Sequence, residues 1–217
     1  MSNISIALAG KLSTKTGTQI ITDARRVLNE PSPSFWTEDD MLLWYNQGRA
    51  AIASRTMCLG KTFTITLAAG TREYDIPTDA DALTIIAAIY EGDGSGLLRG
   101  SPRRVGHAVN VSKPTNWYAW GGKVGVYPTP VTGEDCIGKA VTFFYTEILD
   151  DAALSAVTGL PALYDNALTH YVAAFANYKD KLWGRGDTFF KLFEVDCERY
   201  RLDIADRGED SEGEVVK

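Results

Sequence analysis

The side chains able to do acid–base, nucleophilic or metal chemistry are sparse in this sequence and poorly spaced for it. Its two histidines, His107 and His170, sit in different segments without an HExxH or His/Asp spacing, so a metal or nucleophilic site would have to be assembled from afar. Cys58, Cys136 and Cys197 are odd in number, widely spaced and without a CxxC pair, which points to buried, reduced thiols and not to a zinc site or a disulfide framework. Asp39/Asp40 and Asp150/Asp151 are adjacent carboxylates, yet neighbours on a helix do not face each other, so neither pair reads as a hydrolytic dyad. The run GDGSGLLRG, residues 92–100, has glycines but neither the lysine of a phosphate-binding loop nor a convincing helix after it. No cofactor and no catalytic residue is expected.

Residues suited to recognition are more prominent. Between residues 97 and 123 stand five basic side chains, Arg99, Arg103, Arg104, Lys113 and Lys123, and no acid. Trp117, Tyr118 and Trp120 lie among them, able to stack on nucleic-acid bases, to anchor a protein interface or to form an aromatic cluster of a sheet. From residue 203 to the last residue there are six acids, among them Glu209, Asp210, Glu212 and Glu214, against Arg207 and Lys217. The two segments read either as a solvated loop and a solvated tail or as complementary charge for contacts between copies or with partners. The net charge of −6 is unfavourable for tight binding to phosphate backbones, where affinity comes from clustered Lys and Arg.

The elements that must hold these residues follow from periodicity and punctuation. With 217 residues, 45% of them apolar, the chain can bury a core. No apolar run approaches the roughly 18–20 residues that span a bilayer, and residues 4–9 lack the length and basic flank of a signal peptide, so a soluble protein outside that secretory route is expected. Residues 1–17 read as a flexible arm. Residues 18–29 and 37–59 read as two helices joined at a corner containing Pro31 and Pro33. Thr37, followed by Glu38, Asp39 and Asp40, caps the second helix and places carboxylates at its positive end. Trp36, just before the cap, is in the staple position that sets the angle between the helices.

After Gly60 the period changes from helical to two. Phe63, Ile65 and Leu67 alternate with threonines, a turn at residues 69–71 leads to Tyr74 and Ile76, and the pair reads as a hairpin. Five or six strands are expected between residues 62 and 147, in an antiparallel sheet or small barrel. After Pro161 the stripe Leu163, Ala167, Tyr171, Ala174, Tyr178 and Leu182 is helical, broken by Gly184 and Gly186. Phe190, Phe193, Cys197, Tyr200 and Ile204 follow as a narrow seam on a last helix.

The expected architecture is α+β. A four-helix bundle made from residues 18–61 and 149–207 carries an inserted β region, residues 62–148, and an acidic tail, residues 208–217.

In this order, the ARRVLN helix, FWTEDDMLLWYNQGRAAIAS, the strand pair ending in GTREYDIPTDA, GVYPTP, VTFFYTE and LPALYDNALTHYVAAFANYKD, the chain resembles the head-to-tail adaptor (connector, or head-completion) proteins of tailed bacteriophages. The resemblance runs from about residue 18 to 205. It implies a non-enzymatic virion protein of the neck, assembled in the host cytoplasm. Such a protein forms a homo-oligomeric ring, typically of twelve copies, beneath the portal protein and above tail or nozzle proteins, around the DNA channel. Another neck component, a stopper or tail terminator, is the nearest alternative reading. A nucleic-acid-binding module using Arg99, Arg103, Arg104, Trp117 and Trp120 is the more distant one.

Overall fold

The computed structural model describes residues 11–30, 35–78, 80, 82–101, 113–147 and 149–209, with the side chains of residue 83 and residues 200–209 excepted. Two compact units emerge, one from residues 1–59 with 148–217 and the other from residues 60–147.

Among the described residues the first unit holds four α-helices: α1 (Gly17–Val27), α2 (Glu38–Thr56), α3 (Asp165–Lys179) and α4 (Trp183–Glu209). Thr16 and Thr37 begin the first two with capping boxes, each hydroxyl accepting from the third helical N–H while that residue's side chain accepts from the cap's own N–H. α2 stops where Met57 turns left-handed, at φ 52°. Each helix turns apolar residues inward: Ile20, Ile21 and Ala24 from α1, Met41, Tyr45 and Ile52 from α2, Leu168 and Val172 from α3, Phe193 and Cys197 from α4. α3 packs against the other three helices. Burial of these side chains, each contributing about 1.5–3 kcal/mol, holds together helices that would be marginal alone.

Two details of this unit depart from the sequence reading. Residues 11–16, counted there with a flexible arm, run extended against residues 154–162: Ser13 N–H donates to Leu160 O at 2.9 Å, Thr158 N–H to Lys15 O at 3.0 Å and Ala162 N–H to Lys11 O at 2.9 Å. The break between α3 and α4 falls at residues 180–182, where Lys181 is left-handed at φ 59°, and both glycines lie inside α4. Gly186 is required there for space. A Cβ on it would meet the ring of Tyr178 at 2.4 Å.

The second unit is a seven-stranded sheet: β1 (Gly60–Thr66), β2 (Glu73–Asp75), β3 (Ala82–Tyr90), β4 (Ser95–Arg99), β5 (Asn116–Trp120), β6 (Lys123–Tyr127) and β7 (Ala140–Glu147), in the order β1-β7-β3-β4-β5-β6-β2. The pairing of β4 with β5 is parallel, so the sheet is not the wholly antiparallel one expected. The long connection from Gly100 to Thr115 gives the chain room to re-enter from the same end. The expected hairpin of β1 with β2 is also absent. The two strands are the opposite edges of the sheet, because Leu67 pairs instead with residues 138–139 through Leu67 N–H to Lys139 O and Gly138 N–H to Leu67 O, both 2.9 Å.

That connectivity forces curvature. Residues 67–72 can span at most about 25 Å between the ends of β1 and β2, whereas a flat seven-stranded sheet is about 29 Å wide. The sheet therefore curls, and its concave side encloses Phe63, Ile65, Trp117, Val124, Val126, Val141 and Phe143. The run at residues 92–100 is the β3–β4 turn followed by β4 itself, a strand where the sequence reads as loop.

Candidate interaction site

The α1–α2 corner is built around a buried ion pair. Arg25, on the last turn of α1, donates through Nη1 to Glu30 Oε2 at 3.0 Å and through Nη2 to the carbonyl of Trp36 at 2.8 Å, and Glu30 Oε1 accepts from Phe35 N–H at 2.6 Å. Both charged side chains are about nine-tenths buried. The pair thereby closes the corner across residues 31–34, and Pro31 and Pro33 lie outside the described residues. Trp36 is buried and donates its indole Nε1 to Ala176 O on α3 at 3.0 Å. Thr37 caps α2 and donates its hydroxyl to Asp40 Oδ2 at 2.7 Å, and that carboxylate also pairs with Lys179. Lys179 first, then Thr37, holds the Asp40 carboxyl below its ordinary value. Arg25 and Glu30 went unread in the sequence; an arginine and a glutamate five apart, straddling a helix end, were the available signal.

Arg49 plays a comparable part on α2. Its Nε donates to Thr158 O at 2.7 Å and its Nη1 to Asp150 O at 2.8 Å, tying the segment before α3 to α2. Asp150 therefore contributes a carbonyl rather than a carboxylate.

The sheet separates the aromatic cluster by strand parity. Trp117 is 1% exposed and packs edge-on to Phe143 with ring centroids 5.9 Å apart, so within the chain it is a core residue. The reason is alternation: successive residues of β5 point to opposite faces, and Trp117 points inward. Trp120 is 71% exposed on the outer face, and Leu98, on the same face, is 70% exposed. Tyr118, also outward, is buried because its ring lies across Gly125, where a Cβ would come within 2.1 Å of it. Its hydroxyl donates to Glu73 Oε1 at 2.9 Å and Arg72 stacks on its ring at 5.4 Å.

The basic segment loses much of its free charge. Lys113 pairs with Asp93, Lys123 pairs with Asp75 at 3.1 Å, and Arg99 lies over the Trp117 ring at 5.5 Å. Arg103 and Arg104 lie outside the described residues, as do Asp210, Glu212, Glu214 and the side chain of Glu209. The structure thus brings Arg99 to Trp117 and places Trp120 on the other face.

The chemistry-bearing residues are structural where they are described. His170 Nδ1 and Asp196 Oδ2 meet at 3.0 Å between α3 and α4. All three cysteines are buried and unpaired, and burial pushes the Cys197 thiol up to about 12, far from a reactive thiolate. Among the described residues no group of three or more His, Cys, Asp or Glu side chains could hold a metal ion, and no helix is long and apolar enough to cross a membrane. His107 lies outside the described residues.

No protein of curated function matches the chain. Among solved structures it is similar to a chain in the neck of a native GTA particle computed with C12 symmetry, at 15% identity over 79% of this chain and 82% of that one, with a TM-score of 0.28. A chain in the neck of an empty GTA particle computed with C6 symmetry is similar at 17% identity over 78% and 83%, also with a TM-score of 0.28. Likeness at that level transfers no arrangement to this chain. The family model of the SU10 adaptor proteins matches residues 15–211, taking in parts of both units, and the chain belongs to the SU10 adaptor protein family.

Proposed function

We propose that this head-to-tail adaptor forms a ring of about twelve copies in the neck of the virion, seated beneath the portal and above the tail or nozzle proteins, and that the ring continues the DNA channel. The observation that carries the reading is the family match across residues 15–211. Within each copy, the four helices act as a bundle and the curled sheet is its insertion. The role is structural, with no chemical step. Assembly takes place in the host cytoplasm.

The physical character of the chain supports this reading. A ring subunit needs exposed apolar anchors on a rigid frame, and Trp120 and Leu98 present such anchors on a sheet where the Tyr118–Glu73 bond ties β5 to β2 across β6. A conduit for DNA needs few free phosphate contacts. The net charge of −6 and the internal pairing of Lys113 and Lys123 meet that need, and they weigh against a nucleic-acid-binding module. The acidic tail, residues 208–217, is the segment we assign to docking on the portal, with basic residues on the partner as its complement.

Reconstruction of the neck in assembled particles tests the reading. The chain should appear as a closed ring against the portal; its presence only inside the capsid or at the tail tip would overturn it. Binding of the purified chain to isolated portal separates an adaptor from a stopper or tail terminator, which should need the adaptor first.

A further inference from the structure

The two edges of the sheet differ in how they are protected. β2 is three residues long and carries Glu73 and Asp75, a short, charged edge of the kind that discourages further pairing. β1 is seven residues long, pairs with β7 in unbroken register from Gly60 to Thr66, and contains no proline and no bulge. Thr62, Thr64 and Thr66 are exposed on its outer face, while Phe63 and Ile65 are buried on its inner face. Among the described residues no strand lies on its free side. Its one charged side chain, Lys61, stands near one end and pairs with Glu147 of β7, so the stretch from Thr62 to Thr66 carries no charge, proline or bulge and is a template for an added strand.

A matching strand is written elsewhere in this sequence. Residues 4–9 read Ile-Ser-Ile-Ala-Leu-Ala, with large apolar residues at 4, 6 and 8 and small ones at 5, 7 and 9. Laid beside β1, one row (Ile4, Ile6, Leu8) continues the inner face of Phe63 and Ile65, and the other (Ser5, Ala7, Ala9) continues the outer threonine row. Six residues extend about 20 Å, close to the length of β1. The segment is tethered by Gly10 alone to Lys11, whose carbonyl accepts from Ala162 N–H at 2.9 Å on the helical unit.

We propose that the free edge of β1 is a strand-acceptor site for residues 4–9 of the neighbouring copy, so that each subunit gives one strand and receives one. The inference rests on the ring reading. Passing a strand one way round is a heterologous contact, the kind that closes into a ring and leaves no β1 edge open.

The test uses full-length chains assembled into necks. Copies carrying Ala7→Cys are mixed with copies carrying Thr64→Cys; cross-strand neighbours lie within disulfide reach, and the three native cysteines are buried. A disulfide-linked pair of copies is expected, together with at least tenfold slower hydrogen exchange at the β1 amides on assembly. Ile6→Pro should abolish that slowing while leaving the unassembled chain's thermal transition unchanged. Assembled rings without the cross-link overturn the strand exchange and leave the ring standing. A cross-link found only within a doubly substituted chain overturns the neighbour as donor. β1 protection that survives deletion of residues 2–9 assigns the edge to another occupant and overturns the proposal. Absence of any ring from the neck overturns both readings.

Discussion

The indole of Trp36 reaches the carbonyl of Ala176, 140 residues further along the chain, and holds it at 3.0 Å inside the helical unit. The same carbonyl accepts the N–H of Asp180, so the α1–α2 corner and the end of α3 converge on one atom. Trp36 acts less as a staple onto its own helix than as a clamp between two parts of the chain that the whole sheet separates.

Removing the clamp in two steps separates packing from hydrogen bonding. Trp36→Phe keeps an aromatic ring and leaves the Ala176 carbonyl paired with Asp180, so the loss should be about 1–2 kcal/mol. Trp36→Ala adds a cavity and should cost about 3–5 kcal/mol. Denaturant unfolding measures both, and a Trp36→Phe chain as stable as the parent would show that the bond contributes nothing.

The Arg25–Glu30 pair should be worth more when broken than when replaced. Glu30→Gln leaves a buried guanidinium without its counter-charge and should destabilise by about 3–5 kcal/mol, while Arg25→Met with Glu30→Leu should recover much of that. A double-mutant cycle read by chemical denaturation checks this; purely additive losses would contradict it.

Local signals were legible in the sequence, and pairings made at a distance were not. Thr37 with Asp40 announces the start of α2 because the capping bonds join residues three apart. The inward stripe through Ala167, Tyr171 and Ala174 was equally readable, since helical periodicity needs no partner. The β1–β2 turn misled for the opposite reason. Its residues favour a hairpin, but Lys139 claims the Leu67 N–H, and nothing near residue 67 records that competition. Parity in β5 was hidden too. NWYAW is aromatic on both faces, so which tryptophan is core depends on which side of the sheet is closed, a property of the curl and not of the strand.

That parity makes opposite predictions for the two tryptophans. Trp117→Ala should cost about 3–5 kcal/mol by emptying the sheet core. Trp120→Ala should change stability by no more than about 0.5 kcal/mol and should weaken assembly instead. Thermal unfolding beside neck reconstitution separates the two; a stable Trp117→Ala chain would contradict the assignment of that ring to the core.

Gly125 should tolerate no Cβ while Tyr118 lies across it. Gly125→Ala forces the ring off the Glu73 and Arg72 contacts, with an expected loss of about 1–3 kcal/mol. Tyr118→Ala removes the obstacle, so the double variant should be less damaged than the sum of the two singles. Strict additivity would mean that the ring moves aside freely.

Asp165 sets two effects against each other, and pH can tell which prevails. It stands in the first turn of α3, where the helix dipole favours a charged carboxylate. Burial disfavours that charge and outweighs the hydrogen bond from Ser13 Oγ at 2.9 Å, leaving the carboxyl above its ordinary value of 3.8. A carboxyl raised in the folded state contributes stability while protonated and loses it as pH climbs from 3.8 through the raised value. Asp165→Asn should therefore gain on the parent chain across that window and hold the gain at neutral pH. Asp40 has the reverse sign: held below 3.8 by Lys179 and Thr37, it contributes above that value, and the contribution fades as pH falls through the lowered one. Asp40→Asn should lose at neutral pH and converge with the parent in acid. Unfolding curves from pH 3 to 7 read both slopes. If Asp165→Asn loses ground as pH rises, the dipole at the start of α3 outweighs burial, and the charged carboxylate helps to hold the helical unit together.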